Sequence, residues 1–167
     1  AENLCDEVYD NAPDDSPLRA RARLLSAQML LFNRREPLKA APLFREAAAL
    51  SRKPGRTWVE STYGLATCRQ HTIPITPAGI DEAKVLYREL YETVPDSPYG
   101  RRALFNLAWI EEIRDYAGDV QNRAEAKRLY REVFRSWPGT DLAGEAMFRY
   151  VATLIQEAYH PLAGPLE

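Results

Sequence analysis

Residues 81–109, DEAKVLYRELYETVPDSPYGRRALFNLAW, decide the fold, because they return 43 positions later as residues 124–152, AEAKRLYREVFRSWPGTDLAGEAMFRYVA. Ala83, Leu86, Tyr87, Arg88, Glu89, Pro95, Ala103 and Phe105 recur as Ala126, Leu129, Tyr130, Arg131, Glu132, Pro138, Ala146 and Phe148. So many identities at one offset mark stacked copies of a single supersecondary unit.

The copies extend toward the N-terminus. Pro95-Asp96-Ser97-Pro98 is a helix-cap residue followed by proline at the first helical position. The same punctuation stands at Asp14-Asp15-Ser16-Pro17, and setting Pro17 on Pro98 brings Ala22 onto Ala103 and Ala27 onto Ala108. Ala40, Leu43, Phe44, Arg45 and Glu46 lie 43 positions before Ala83, Leu86, Tyr87, Arg88 and Glu89. Tyr63-Gly64-Leu65-Ala66 matches Phe105-Asn106-Leu107-Ala108 once one residue is deleted. Four units follow, 13–51, 55–94, 95–138 and 139–160, in one domain spanning 1–167.

Each unit predicts two helices. Apolar positions fall at i, i+3, i+4 and i+7, as in Ala83, Leu86, Tyr87 and Leu90. Proline, glycine and cap residues bound helices at about 2–11, 16–33, 37–51, 56–70, 77–94, 97–115, 121–136 and 140–159, with a turn at Ala117-Gly118-Asp119 and a stop at His160-Pro161. Pro42 is expected within the opening turns of the third helix, where few amides need an intrahelical acceptor. A lone pair cannot bury its stripe, so neighbouring pairs must stack. The expectation is an all-α solenoid of about eight helices in antiparallel pairs, winding as a right-handed superhelix. The order is out of phase: the first helix is a second-of-pair (B) helix without its A, and the eighth an A without its B. We therefore expect the chain to continue beyond these residues, or the unpaired terminal helices to dimerise.

Composition narrows the function classes. Net charge is −2, which gives no strong electrostatic case for nucleic acid or a membrane as partner, and no nucleic acid is expected. No apolar run approaches the length of a membrane span. His71 and His160 lie far apart, and no His/Cys/Asp/Glu group has metal-ligand spacing. There is no HExxH, no phosphate-binding glycine loop and no GxSxG. No metal or cofactor is expected, and no catalysis. Cys5 and Cys68 would have to link the first and fourth helices, which a regular stack separates, so two buried free thiols are expected. Ala1 in place of an initiator methionine fits a removed signal segment or a trimmed chain.

The unit resembles the tetratricopeptide repeat, or TPR. It has small residues where paired helices cross (Ala103, Ala108, Ala126), an aromatic in the B helix (Tyr87, Tyr130) and a closing proline (Pro95, Pro138). The period of 43 exceeds the family's usual spacing. Alanine stands at Ala27, Ala66 and Ala108, and Val151 at the fourth crossing, where the family often carries glycine. The bulk of Val151 predicts a wider or bent last crossing. The phrase PDSPYGRRALFNLA is similar to extracytoplasmic bacterial members, of the β-barrel-assembly lipoprotein and Tol–Pal-associated coordinator types. That resemblance implies a periplasmic or outer-membrane-associated scaffold that binds a protein or peptide. The alternative is a docking or substrate-positioning segment of a larger enzyme or sensor.

In such a repeat, one side of the A helices forms the inner, partner-binding face. Repeat position places Arg21 and Gln28 there in the first unit, Glu60 and Tyr63 in the second, Arg102, Phe105 and Trp109 in the third, and Glu145 and Phe148 in the fourth. Tyr63, Phe105 and Phe148 share one position and would form an aromatic ladder gripping a peptide. The competing reading is that Phe105 and Phe148 belong to the core. Arg88-Glu89 and Arg131-Glu132 are positioned to bridge neighbouring B helices at little energetic gain.

Overall fold

A computed structural model describes residues 2–113 and 122–159. All its regular elements are helical: α1 (Glu2–Asn11), α2 (Pro17–Gln28), α3 (Pro37–Ala49), α4 (Arg56–His71), α5 (Pro77–Thr93), α6 (Pro98–Glu112), α7 (Arg123–Ser136) and α8 (Asp141–Tyr159). A π-type turn, Met29–Asn33, prolongs α2, and Arg35 (φ 57°) reverses the chain into Pro37. The turn at 117–119 and the stop at 160–161 lie outside the described residues.

The A helices α2, α4, α6 and α8 start at residues 17, 56, 98 and 141, the positions that the sequence repeat aligns. The reason is local. Ser97 Oγ accepts from Gly100 N (2.9 Å) and donates to the Val94 carbonyl (2.8 Å). Thr140, its counterpart 43 residues on, accepts from Ala143 N (3.2 Å) and donates to the Trp137 carbonyl (2.8 Å). Each hydroxyl thus ties the end of a B helix to the first turn of the next A helix. Ser97→Ala is expected to cost about 1–2 kcal/mol, read as a lower urea midpoint at constant slope.

Two compact units divide the chain, the first comprising residues 2–103 and the second 104–113 with 122–159. In the first, α1 packs on α2, α2 on both α3 and α4, and α4 on α5. Its core is a three-helix contact: Leu24, Ala27 and Leu30 meet Ala40, Ala41, Phe44 and Ala47 of α3, with Leu65 and Cys68 of α4. An A helix therefore lies in the valley between its own B helix and the next A helix. Arg45 of α3 reaches Glu82 of α5 at 2.7 Å, and Lys53 reaches Glu89 at 2.8 Å. These half-exposed pairs contribute little. In the second unit α7 packs on α8, and Lys127 pairs with Glu157 at 2.6 Å.

One contact is repeated in both units. Tyr63 of α4 stacks at a tilt on Tyr87 of α5, with centroids 5.8 Å apart. Phe105 of α6 does the same on Tyr130 of α7, at 5.5 Å. Each B-helix tyrosine then finds an acceptor two turns further along the A helix, seven residues on. Tyr87 donates to Gln70 Oε1 (2.9 Å), and Tyr130 to Glu112 Oε2 (2.6 Å). In the first repeat the aromatic is Phe44, which needs no acceptor, and Leu31 stands at the Gln70/Glu112 position. The buried polar group and its acceptor come and go together, as the cost of an unpaired buried hydroxyl requires.

Pro42 is the sixth residue of α3, within its opening turns as expected, and lies on the exposed side of the helix. Two expectations need correction. Val151 is 46% exposed and sits in no buried crossing, so its bulk neither widens nor bends one. Only one thiol is fully buried: Cys68 lies in the core, its pKa pushed up to about 12 by burial, whereas Cys5 is half-exposed. Both are free.

Candidate functional site

A groove of about 480 Å³ opens on the first unit along α2 and α4. Helical spacing builds it. Arg21, Leu24, Leu25 and Gln28 recur at three- and four-residue intervals on one side of α2, and Arg56, Thr57 and Glu60 line the facing side of α4. Tyr99, from the first turn of α6, closes one end.

The groove is amphipathic. Arg56 Nε lies 2.6 Å from Glu60 Oε1; the arginine side chain is 90% exposed and the glutamate side chain 12%. The pair keeps Arg56 cationic, its pKa raised first by the hydrogen bond to Glu60. Arg21 is exposed and has no ion-pair partner among the described residues. The groove thus has one uncompensated positive charge beside the apolar faces of Leu24 and Leu25. Tyr99 meets Tyr63 edge-on at 5.2 Å, and Tyr63 rests on Tyr87, so the end wall is three aromatic rings deep. Burial, then the nearby Glu60, raises the Tyr99 pKa and keeps the phenol protonated as a donor.

The site residues expected from sequence separate into groups. Arg21, Gln28 and Glu60 converge on this groove, with Tyr63 behind its end wall. Arg102 is half-buried and does not line it. Phe105 is a correction: at 1% exposure it is core, packed on Tyr130, and offers no surface to a partner. Trp109 is half-buried, with the Arg149 guanidinium 5.3 Å from its ring. Glu145 is exposed, and Phe148 is 73% exposed on α8. Position 63/105/148 is therefore not an exposed ladder. It is the seat of the A helix on its B helix, and Phe148 is exposed because no B helix covers it among the described residues. Sequence reading missed Arg56 and Tyr99. Arg56 was legible as the i−4 partner of Glu60; Tyr99 enters from the next repeat, which no spacing within one helix reveals.

Among the described residues, no three His, Cys, Asp or Glu side chains converge as a metal site, and no helix is long and apolar enough to cross a membrane.

No protein-family model matches the sequence, and no curated protein sequence does. Among solved structures, the chain is similar to a kinesin light chain-like protein of Podosopora anserina with nearly identical TPR-like repeats. The TM-score is 0.70 at 14% identity, over 95% of this chain and 78% of that one. That likeness establishes a TPR-like helical-repeat fold, an α-solenoid of stacked antiparallel helix pairs.

Proposed function

We propose that this chain is a non-catalytic protein-interaction module that binds a peptide or protein segment in the groove between α2 and α4. TPR-like folds generally mediate protein–protein contact, because their stacked hairpins present one continuous surface. The carrying observation is that Arg21, Gln28 and Glu60, chosen by repeat position, converge with Arg56 and Tyr99 on one groove. Its free arginine beside Leu24 and Leu25 suits a segment bearing an acidic residue next to an apolar one. The similarity of PDSPYGRRALFNLA to bacterial extracytoplasmic proteins supports a cell-envelope setting, periplasmic or outer-membrane-associated. The reading includes self-association through the terminal helices.

Peptides selected from a random displayed library against the wild-type chain are expected to carry that acidic–apolar pairing. Arg21→Glu, a fold-neutral change at an exposed position, should weaken them by about ten- to a hundredfold. Selected peptides that bind Arg21→Glu and Gln28→Ala as well as wild type would remove the site from this groove. Fractionation of the host cell tests the setting separately, and recovery in the cytosol would overturn it.

A further inference from the structure

Among the described residues, no B helix covers the side of α8 that an A helix normally turns toward one. That side carries Leu24 and Leu31 toward Phe44, Tyr63 and Gln70 toward Tyr87, and Phe105 and Glu112 toward Tyr130. In α8 the same two positions hold Phe148 and Ile155, 73% and 53% exposed, and Leu154 and Tyr159 widen the apolar surface. α1 is the converse case. Its Cys5, Val8 and Tyr9 repeat the spacing of Ala40-Leu43-Phe44, Ala83-Leu86-Tyr87 and Ala126-Leu129-Tyr130, which makes it a B helix. Between α1 and α2 lies an open groove of about 270 Å³, with Leu4, Cys5, Val8, Leu18 and Leu25 among its lining. Within the chain, the equivalent valley between α3 and α4 is filled by the A helix α2.

We propose that the chain self-associates head to tail, with α8 of one copy seated in the valley between α1 and α2 of the next. This rests on the self-association reading above and adds which faces meet. Three observations select a second copy as the occupant. The first is continuity: α1 and α2 of the next copy supply the B helix and following A helix on which an A helix packs inside the chain.

The second is polar satisfaction. Where a B-helix aromatic turns a hydroxyl toward its A helix, that helix supplies an acceptor, Gln70 or Glu112. Tyr9 instead donates to Glu46 of its own chain. The apolar pair Phe148 and Ile155 can therefore cover α1 without orphaning a hydroxyl. The third is charge. The repeat position occupied by Arg21, Glu60, Arg102 and Glu145 alternates in sign, and Arg21 and Glu60 line one groove within the chain. Adding a copy sets Glu145 beside the unpaired Arg21 of its neighbour and continues the alternation. Such a contact is heterologous, each copy offering a different face to its two neighbours.

Sedimentation of the whole chain over a range of concentrations tests it. The mass of the wild type should climb above the 19.0 kDa of one copy as concentration rises. Phe148→Asp/Ile155→Asp blocks the α8 face and Leu4→Asp/Val8→Asp blocks the valley, all at exposed positions. Each variant alone should be monomeric. Their equimolar mixture should stop at a dimer, because one intact face and one intact valley remain. A mixture that stays monomeric overturns the proposal. So does a valley variant that self-associates like wild type, which would mean α8 pairing with α8 and would leave the self-association reading standing. A wild type that stays monomeric throughout overturns both and gives the α8 face to another occupant. If circular dichroism shows a blocked variant misfolded, the charge pair decides. Glu145→Arg should weaken association about tenfold, and Arg21→Glu in the same chain should restore it; no restoration sinks the register.

Discussion

Glu112→Ala is expected to destabilise the second unit by about 3–5 kcal/mol, enough to lower its urea midpoint severalfold more than any surface change. Glu112 is buried at 6% exposure, and its Oε2 serves two partners. The Tyr130 hydroxyl donates to it at 2.6 Å, and Arg149 Nη1 approaches it at 3.4 Å. Tyr130 is fully buried, so removing the carboxylate strands a hydroxyl where water cannot replace the acceptor. Arg149 lies 5.3 Å from the Trp109 ring and loses its anionic partner. The truncation also opens a cavity beside a packed aromatic pair.

Glu112→Gln separates the components. Gln70 does the same work for Tyr87 in the preceding repeat with a neutral amide, at 2.9 Å. The amide should therefore keep the Tyr130 hydrogen bond and cost only about 1 kcal/mol, through the lost attraction to Arg149. Equal losses for Ala and Gln would mean that charge, not hydroxyl satisfaction, governs the site. Tyr130 adds a pH signature. Burial first, then the Glu112 hydrogen bond, raises its pKa well above the ordinary 10.0. The folded phenol holds its proton where the unfolded one gives it up. Its contribution is complete below pH 10.0 and declines as pH rises beyond it. Tyr130→Phe removes that part of the alkaline decline, which a denaturation series across the interval would resolve.

The helices were legible in the sequence because every level agreed: cap and proline signals, apolar spacing and the 43-residue recurrence all marked the same boundaries. What escaped was whatever depends on two helices at once. Repeat position places Phe105 and Phe148 together, yet one is 1% and the other 73% exposed, because Tyr130 covers the first. Arg21, Gln28 and Glu60 were found from one helix each; Tyr99 was not, since its place in the groove depends on where the next repeat begins. Gly64 was legible as a repeat match but not as a contact. Alanine was read at the close crossings, while two residues before Ala66 the ring of Phe44 of α3 presses on Gly64 of α4.

That contact makes Gly64→Ala a test of whether packing or helix propensity governs α4. In isolation the change should help, since alanine is favoured over glycine in a helix interior by about 1 kcal/mol. Here a β-carbon would fall 2.4, 2.5 and 2.7 Å from the Cε1, Cζ and Cδ1 atoms of Phe44. Phe44 has 0% exposure and is hemmed in by Leu24, Leu30, Ala47 and Leu65, so its ring cannot step aside without disturbing α2. Overpacking on this scale costs about 3 kcal/mol, so the net expectation is a loss of about 2 kcal/mol. Phe44→Leu alone should cost about 1–2 kcal/mol through the space it opens. In that background the same glycine substitution meets no ring and should become neutral or stabilising by up to about 1 kcal/mol. The reversal of sign between the two backgrounds, read from denaturant midpoints, is the decisive quantity. If Gly64→Ala is equally harmful with and without the Phe44 ring, the glycine serves the backbone of α4 and not the contact between the hairpins.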